Sequence, residues 1–80
     1  MGENSHQMKT IALTYREVLR SKGNVTPLDI YWRLKTLPNG LPIAFQTIGC
    51  EQACIRAIKI ALKVLLKKRK VKVTEGYYHK

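Results

Sequence analysis

The segment from Cys50 to Lys70, CEQACIRAIKIALKVLLKKRK, limits the fold more than any other stretch of the chain. It is apolar on most sides, yet five basic residues fall between Arg56 and Lys68. Set at about 100° per residue, Gln52, Arg56, Lys59, Lys63 and Lys67 share an arc of about 80° that no apolar side chain enters. Apart from Glu51, the remainder of the wheel is Cys, Ala, Ile, Leu and Val. A helix of this kind has to be wrapped by other elements on nearly every side, with one cationic seam left open. The spacing predicts a helix from Cys50 (or Thr47) to Lys68.

The wrapping elements are legible on either side. From Met8 to Lys22, Ile11, Tyr15, Val18 and Leu19 follow the i, i+4, i+7, i+8 template with Ala12 beside them. Lys9, Arg16, Glu17 and Arg20 fall opposite, and Gly23 suits the turn past the helix end. Residues 1–7 read as a flexible polar tail. Further on, Thr26 reads as an N-cap, Pro27 as the first helical residue and Asp29 as a capping-box partner. This second helix runs to Leu37, burying Ile30, Tyr31, Leu34 and Leu37 while Arg33 and Lys35 point outward.

Pro38-Asn39-Gly40 is a turn. Leu41, Ile43, Phe45 and Ile48 make the stretch Leu41–Gly49 too apolar for a free loop, so it is expected to pack as an extended or single-turn connection. After the long helix, Val71-Lys72-Val73 alternates as a strand, Thr74-Glu75-Gly76 can turn, and Tyr77-Tyr78-His79 can return. The whole reads as one α+β, mostly α domain over residues 8–80: three helices plus a C-terminal β-hairpin.

Charge narrows the function. The 80 residues hold 15 Lys and Arg against 5 Asp and Glu, a net +10. Such a field draws polyanions, nucleic acid first and an anionic membrane surface second. Between Glu51 and Glu75 stand eight Lys or Arg and no acid. A solvated helix strip usually mixes signs, because i, i+4 acid–base pairs add stability. A single-sign seam repels itself and calls for an external anion. The plainer readings are a Lys-rich chain adapted to heat and long side chains that merely cover the open strip.

A helix with a basic seam fits the DNA major groove, where Arg and Lys meet guanine edges and phosphates and Gln meets adenine. Gln52, Arg56 and Lys59 are the candidates for base edges, with Lys63 and Lys67 nearer phosphate. Lys68, Arg69, Lys70 and Lys72 lie at the base of the hairpin, placed to grip the backbone, and Tyr77 is a hairpin residue able to touch phosphate or stack on a base. Phosphate contacts of this kind make affinity steeply salt-dependent.

The order helix, short Val-Thr-Pro segment, helix, longer helix, Val-Lys-Val hairpin resembles a winged helix-turn-helix domain from about Met8 onward. GNVTPLDIYWRL (Gly23–Leu34) looks like the start of the second helix of such domains. IRAIKIALKVLLKKRKVKVTEGYY (Ile55–Tyr78) looks like a recognition helix passing into the first wing strand. The DNA-binding half of ferric-uptake-type repressors, the small basic winged-helix protein of the ribosomal small subunit and the Z-form nucleic-acid binders have a similar rhythm. The resemblance implies that Gln52, Arg56, Lys59 and Lys63 occupy recognition-helix positions and that Lys70–Tyr78 form the wing. The chain departs from that pattern in a longer connection over Pro38–Gly49, a very short wing loop, and the lack of an attached sensor domain.

On this reading the chain is a double-stranded DNA-binding transcriptional regulator, intracellular (nucleoid-associated or nuclear), not an enzyme, and a homodimer. The dimer rests on two features: the small winged-helix regulators that the chain resembles usually read paired half-sites, and the long helix carries more apolar surface than a small core covers. Trp32, expected to be partly exposed, would suit the contact. An RNA-binding or ribosome-associated winged helix, a protein–protein adaptor and a membrane-surface helix are the alternatives. No catalytic grouping and no glycine-rich phosphate loop occurs, and no cofactor is called for. Cys50 and Cys54, with His6 and His79, could supply metal ligands. Their spacing is not that of a zinc knuckle, and both cysteines are expected on the greasy side of the long helix, so no metal is expected. Lys67-Lys68-Arg69-Lys70 matches a loose nuclear-import signal and equally suits the negative end of a helix dipole.

Overall fold

The computed structural model describes residues 5–21 and 23–80. Four helices, α1 (Ser5–Arg20), α2 (Pro27–Lys35), α3 (Ile43–Gln46) and α4 (Glu51–Lys67), precede an antiparallel hairpin of β1 (Lys72–Thr74) and β2 (Tyr77–His79). The class is therefore α+β and mostly helical. α1 starts at Ser5 instead of Met8, and the rest of the expected tail lies outside the described residues. The Leu41–Gly49 connection contributes one turn of helix, α3, whose Phe45 is fully buried while Ile43 stays exposed.

α2 begins where its local chemistry dictates. Thr26 Oγ1 accepts from the Asp29 N–H at 3.1 Å, and the Asp29 carboxylate accepts from the Thr26 N–H at 3.0 Å. That reciprocal pair satisfies two donors the helix end would otherwise orphan, and Pro27 at the first turn sacrifices none. Ile30, Tyr31 and Leu34 are buried, whereas Trp32 and Leu28 are about half exposed. Beyond the helix, the Gly40 N–H bonds the Leu37 carbonyl at 2.8 Å, and its φ of 80° makes the glycine necessary there.

The hairpin turns through Glu75 and Gly76, both at positive φ (54° and 86°), the two-residue turn whose twist suits antiparallel strands. Lys72 faces His79, Val73 faces Tyr78 and Thr74 faces Tyr77. A third segment joins the sheet. Val25 forms an antiparallel bridge with Tyr78, donating to its carbonyl at 3.0 Å and accepting from its N–H at 2.7 Å. The connection between α1 and α2 is thereby tied to β2, on the edge away from β1.

The core gathers Ile58, Leu62, Leu65 and Cys54 from α4 against Val18 of α1, Ile30, Tyr31 and Leu34 of α2, Phe45 of α3, Val25 and Val71. α4 sits at the centre as its wheel requires. Ile60 is its one large apolar side chain left half exposed.

α1 is turned differently from the expectation. Its buried residues are Thr10, Thr14, Glu17 and Val18, so the inward face is rotated by about a third of a turn at 100° per residue. Leu19 and Ala12, expected inside, are exposed, and Tyr15 and Ile11 are only partly buried. Glu17, expected on the outer side, is 2 % exposed. The reason is Arg33 on α2, whose Nε donates to Glu17 Oε1 at 3.2 Å. A carboxylate this buried needs a charged partner, and Arg33 reaches it while remaining 40 % exposed itself.

Candidate nucleic-acid interface

With Cys54, Ile58, Ala61, Leu62 and Leu65 turned inward, α4 presents Gln52, Arg56, Lys59, Lys63 and Lys67 to solvent. Arg56, Lys59 and Lys63 form one wall of an open cleft. Gly76 and Tyr78 of the hairpin face them, and Pro27 at the start of α2 borders the end. Ile60 and Leu66 contribute its apolar lining. A smaller depression continues along α4, shared by Gln52, Ile55, Arg56 and Lys59. Four of the five seam residues therefore line two adjoining concavities, and Lys67 extends the seam beyond them.

No acid lines either concavity. Of the described carboxylates, Glu17 is buried against Arg33, Asp29 is held in the capping box, Glu51 lies in the first turn of α4 and Glu75 occupies the hairpin turn. Among the described residues no salt bridge neutralises the seam; the ion pair they form, Arg33–Glu17, joins α2 to α1.

The cations past α4 scatter. Lys68 caps the helix, its N–H bonded to the Val64 carbonyl at 3.1 Å. Arg69 and Lys70 complete a Schellman-type end: their N–H groups bond the carbonyls of Leu66 (3.0 Å) and Leu65 (2.9 Å). Arg69 takes the left-handed conformation, φ 58°, that glycine usually supplies at this point, at a cost of about 1 kcal/mol. Lys70 does not extend the seam. Its ammonium lies 5.5 Å from the ring centroid of Tyr15 on α1, a cation–π contact. Lys68 likewise borders a groove shared with α1.

On the hairpin, Lys72 and Tyr77 share the face bearing Thr74 and His79, whose Oγ1 and Nε2 approach to 3.2 Å. Tyr78, on the other face with Val25 and Val73, is the tyrosine that reaches the cleft. Strand alternation tells that Tyr77 and Tyr78 part company, but only the Val25 bridge decides which one turns toward α4. Pro27 and Gly76 are further cleft residues that the sequence did not single out, since what brings them together is non-local.

Cys50, expected on the greasy side, is instead exposed at the N-cap of α4, and both cysteines are free. Cys54 is buried, its thiol donating to the Phe45 carbonyl at 3.3 Å, and burial pushes its pKa up, Cys50 adding to the effect. A thiol so placed is a packing residue more than a ligand. Among the described residues no cluster of three His, Cys, Asp or Glu could hold a metal, and the His6 side chain lies outside them. Burial also raises the pKa of Tyr31, with Glu51 contributing next. No described helix is long and apolar enough to cross a membrane. Comparison with family models, curated proteins and solved structures returns no match.

Proposed function

We propose that the chain is a winged helix-turn-helix protein that binds double-stranded DNA, laying α4 in the major groove with the hairpin against the flanking backbone. The cleft carries this reading: Arg56, Lys59 and Lys63 face the hairpin turn across a gap that the start of α2 borders. Three cations gathered along one cleft favour phosphate. Element order supports the same reading. A helix, a short paired segment at Val25, a helix, a longer helix and a hairpin follow one another in the order of winged helices, with the single turn α3 inserted before the longer helix.

Groove dimensions favour DNA over RNA. The B-form major groove is about 12 Å wide and admits a helix, whereas the A-form major groove is too narrow to be read. Along the seam, Gln52 alone offers both donor and acceptor to a base edge; the cations serve phosphates or guanine. A role in transcription and a paired, homodimeric arrangement belong to this proposal, the dimer resting on exposed Trp32 and Leu28 of α2.

The test is a mobility shift on duplex DNA and duplex RNA of equal length across a salt series. Arg56→Glu with Lys59→Glu should weaken DNA binding on the order of 100-fold and flatten the salt slope by about 2. Tighter binding to RNA would replace the DNA reading. Unchanged affinity in the double variant would leave the adaptor reading in its place.

A further inference from the structure

α1 carries a second surface, separate from the cleft on α4. Met8, Ala12, Tyr15 and Leu19 follow one another at steps of four, three and four residues, the a/d spacing with which one helix meshes with another. Met8 is 59 % exposed and Leu19 42 %, while Ala12 is exposed and Tyr15 half-buried. Met8, Ala12 and Tyr15 of the stripe line a groove together with Ile11, with Leu65 of α4 and with Lys68 and Lys70 just past its end, and Leu19 continues the stripe beyond the groove. None of these residues lines the cleft at the seam.

The rims of this groove are cationic on both sides. Lys68 and Lys70 stand on one, the latter over the Tyr15 ring; Lys9, Arg16 and Arg20 are exposed on the other. The carboxylate on α1, Glu17, is turned inward to Arg33. We propose that this groove docks an amphipathic helix of another protein, apolar at its a and d positions and acidic beside them. Charge selects the occupant. A second copy would set Lys9 and Arg16 against their own counterparts, in a chain of net +10.

The probe is a three-heptad peptide with Leu at a and d and Glu at e and g, beside versions with Lys at e and g or Gln at a and d. Anisotropy titration should give saturable binding of the first, at least tenfold weaker binding of the other two, and at least a tenfold loss in Leu19→Ser. Ala12→Gln, at another exposed point of the stripe, should give a similar loss, with thermal melts showing both variants folded. Arg56→Glu with Lys59→Glu should bind the acidic peptide as the unaltered protein does, which separates this groove from the proposed DNA face. The idea falls if the acidic peptide fails to bind or if Leu19→Ser binds it unchanged. It also falls if Leu19→Ser instead abolishes a dimer seen by sedimentation, meaning a second copy, or abolishes binding to anionic vesicles, meaning a membrane.

Discussion

α1 and α4 pack against each other, yet they dispose of their polar residues in opposite ways. α4 buries Cys54, Ile58, Ala61, Leu62 and Leu65 and sends every seam residue to solvent. α1 buries Thr10, Thr14 and Glu17 beside Val18 and sends Met8, Ala12 and Leu19 outward. The wheel decides the first case because α4 has only one side that can be wet. On α1 two faces share Val18, and a non-local ion pair decides between them. An amphipathic pattern thus gives orientation only where a single face is suited to burial.

The sharpest way to break this contrast is to truncate both helices. Ile58→Ala on α4 should cost about 3–4 kcal/mol in urea unfolding, since it opens a cavity in a closed core. Leu19→Ala on α1 should stay within about 0.5 kcal/mol. Equal losses would mean that α1 is turned the other way.

Next in size is the ion pair that sets the rotation. Arg33→Ala leaves a buried carboxylate without its partner and should cost about 3 kcal/mol. Adding Glu17→Leu should recover most of that loss, because it removes the stranded charge and fills its buried site with an apolar side chain of similar volume. If the double variant is as unstable as the single one, Glu17 is not what anchors α1. A smaller effect than the ion pair's is expected at Thr14, which is fully buried with its hydroxyl unpartnered. Thr14→Val keeps the shape and removes that hydroxyl, and should raise stability by about 1 kcal/mol in the same titration.

What was legible followed from interactions within a few residues. The Thr26–Asp29 capping box, the turn at Gly40, the Glu75-Gly76 hairpin and the α4 seam each declare themselves in a short window. What escaped depends on distant pairs. Glu17 looks like a surface acid until Arg33, sixteen residues away, comes to lie over it. Lys70 looks like part of a basic run until Tyr15 draws it aside. The seam could be read as a stripe, but its neighbours Pro27, Gly76 and Tyr78 could not, because the Val25 bridge that sets the hairpin's facing is invisible in either segment alone.

That bridge also bears on how the chain comes to be folded. During synthesis from the N-terminus, α1 and α2 leave the ribosome while Val25 between them still lacks Tyr78. Its N–H and carbonyl must stay hydrated until β2 arrives, after all four helices have been made. Val25 is therefore a natural reporter for the last step: its amide should gain protection from solvent exchange only when the hairpin closes.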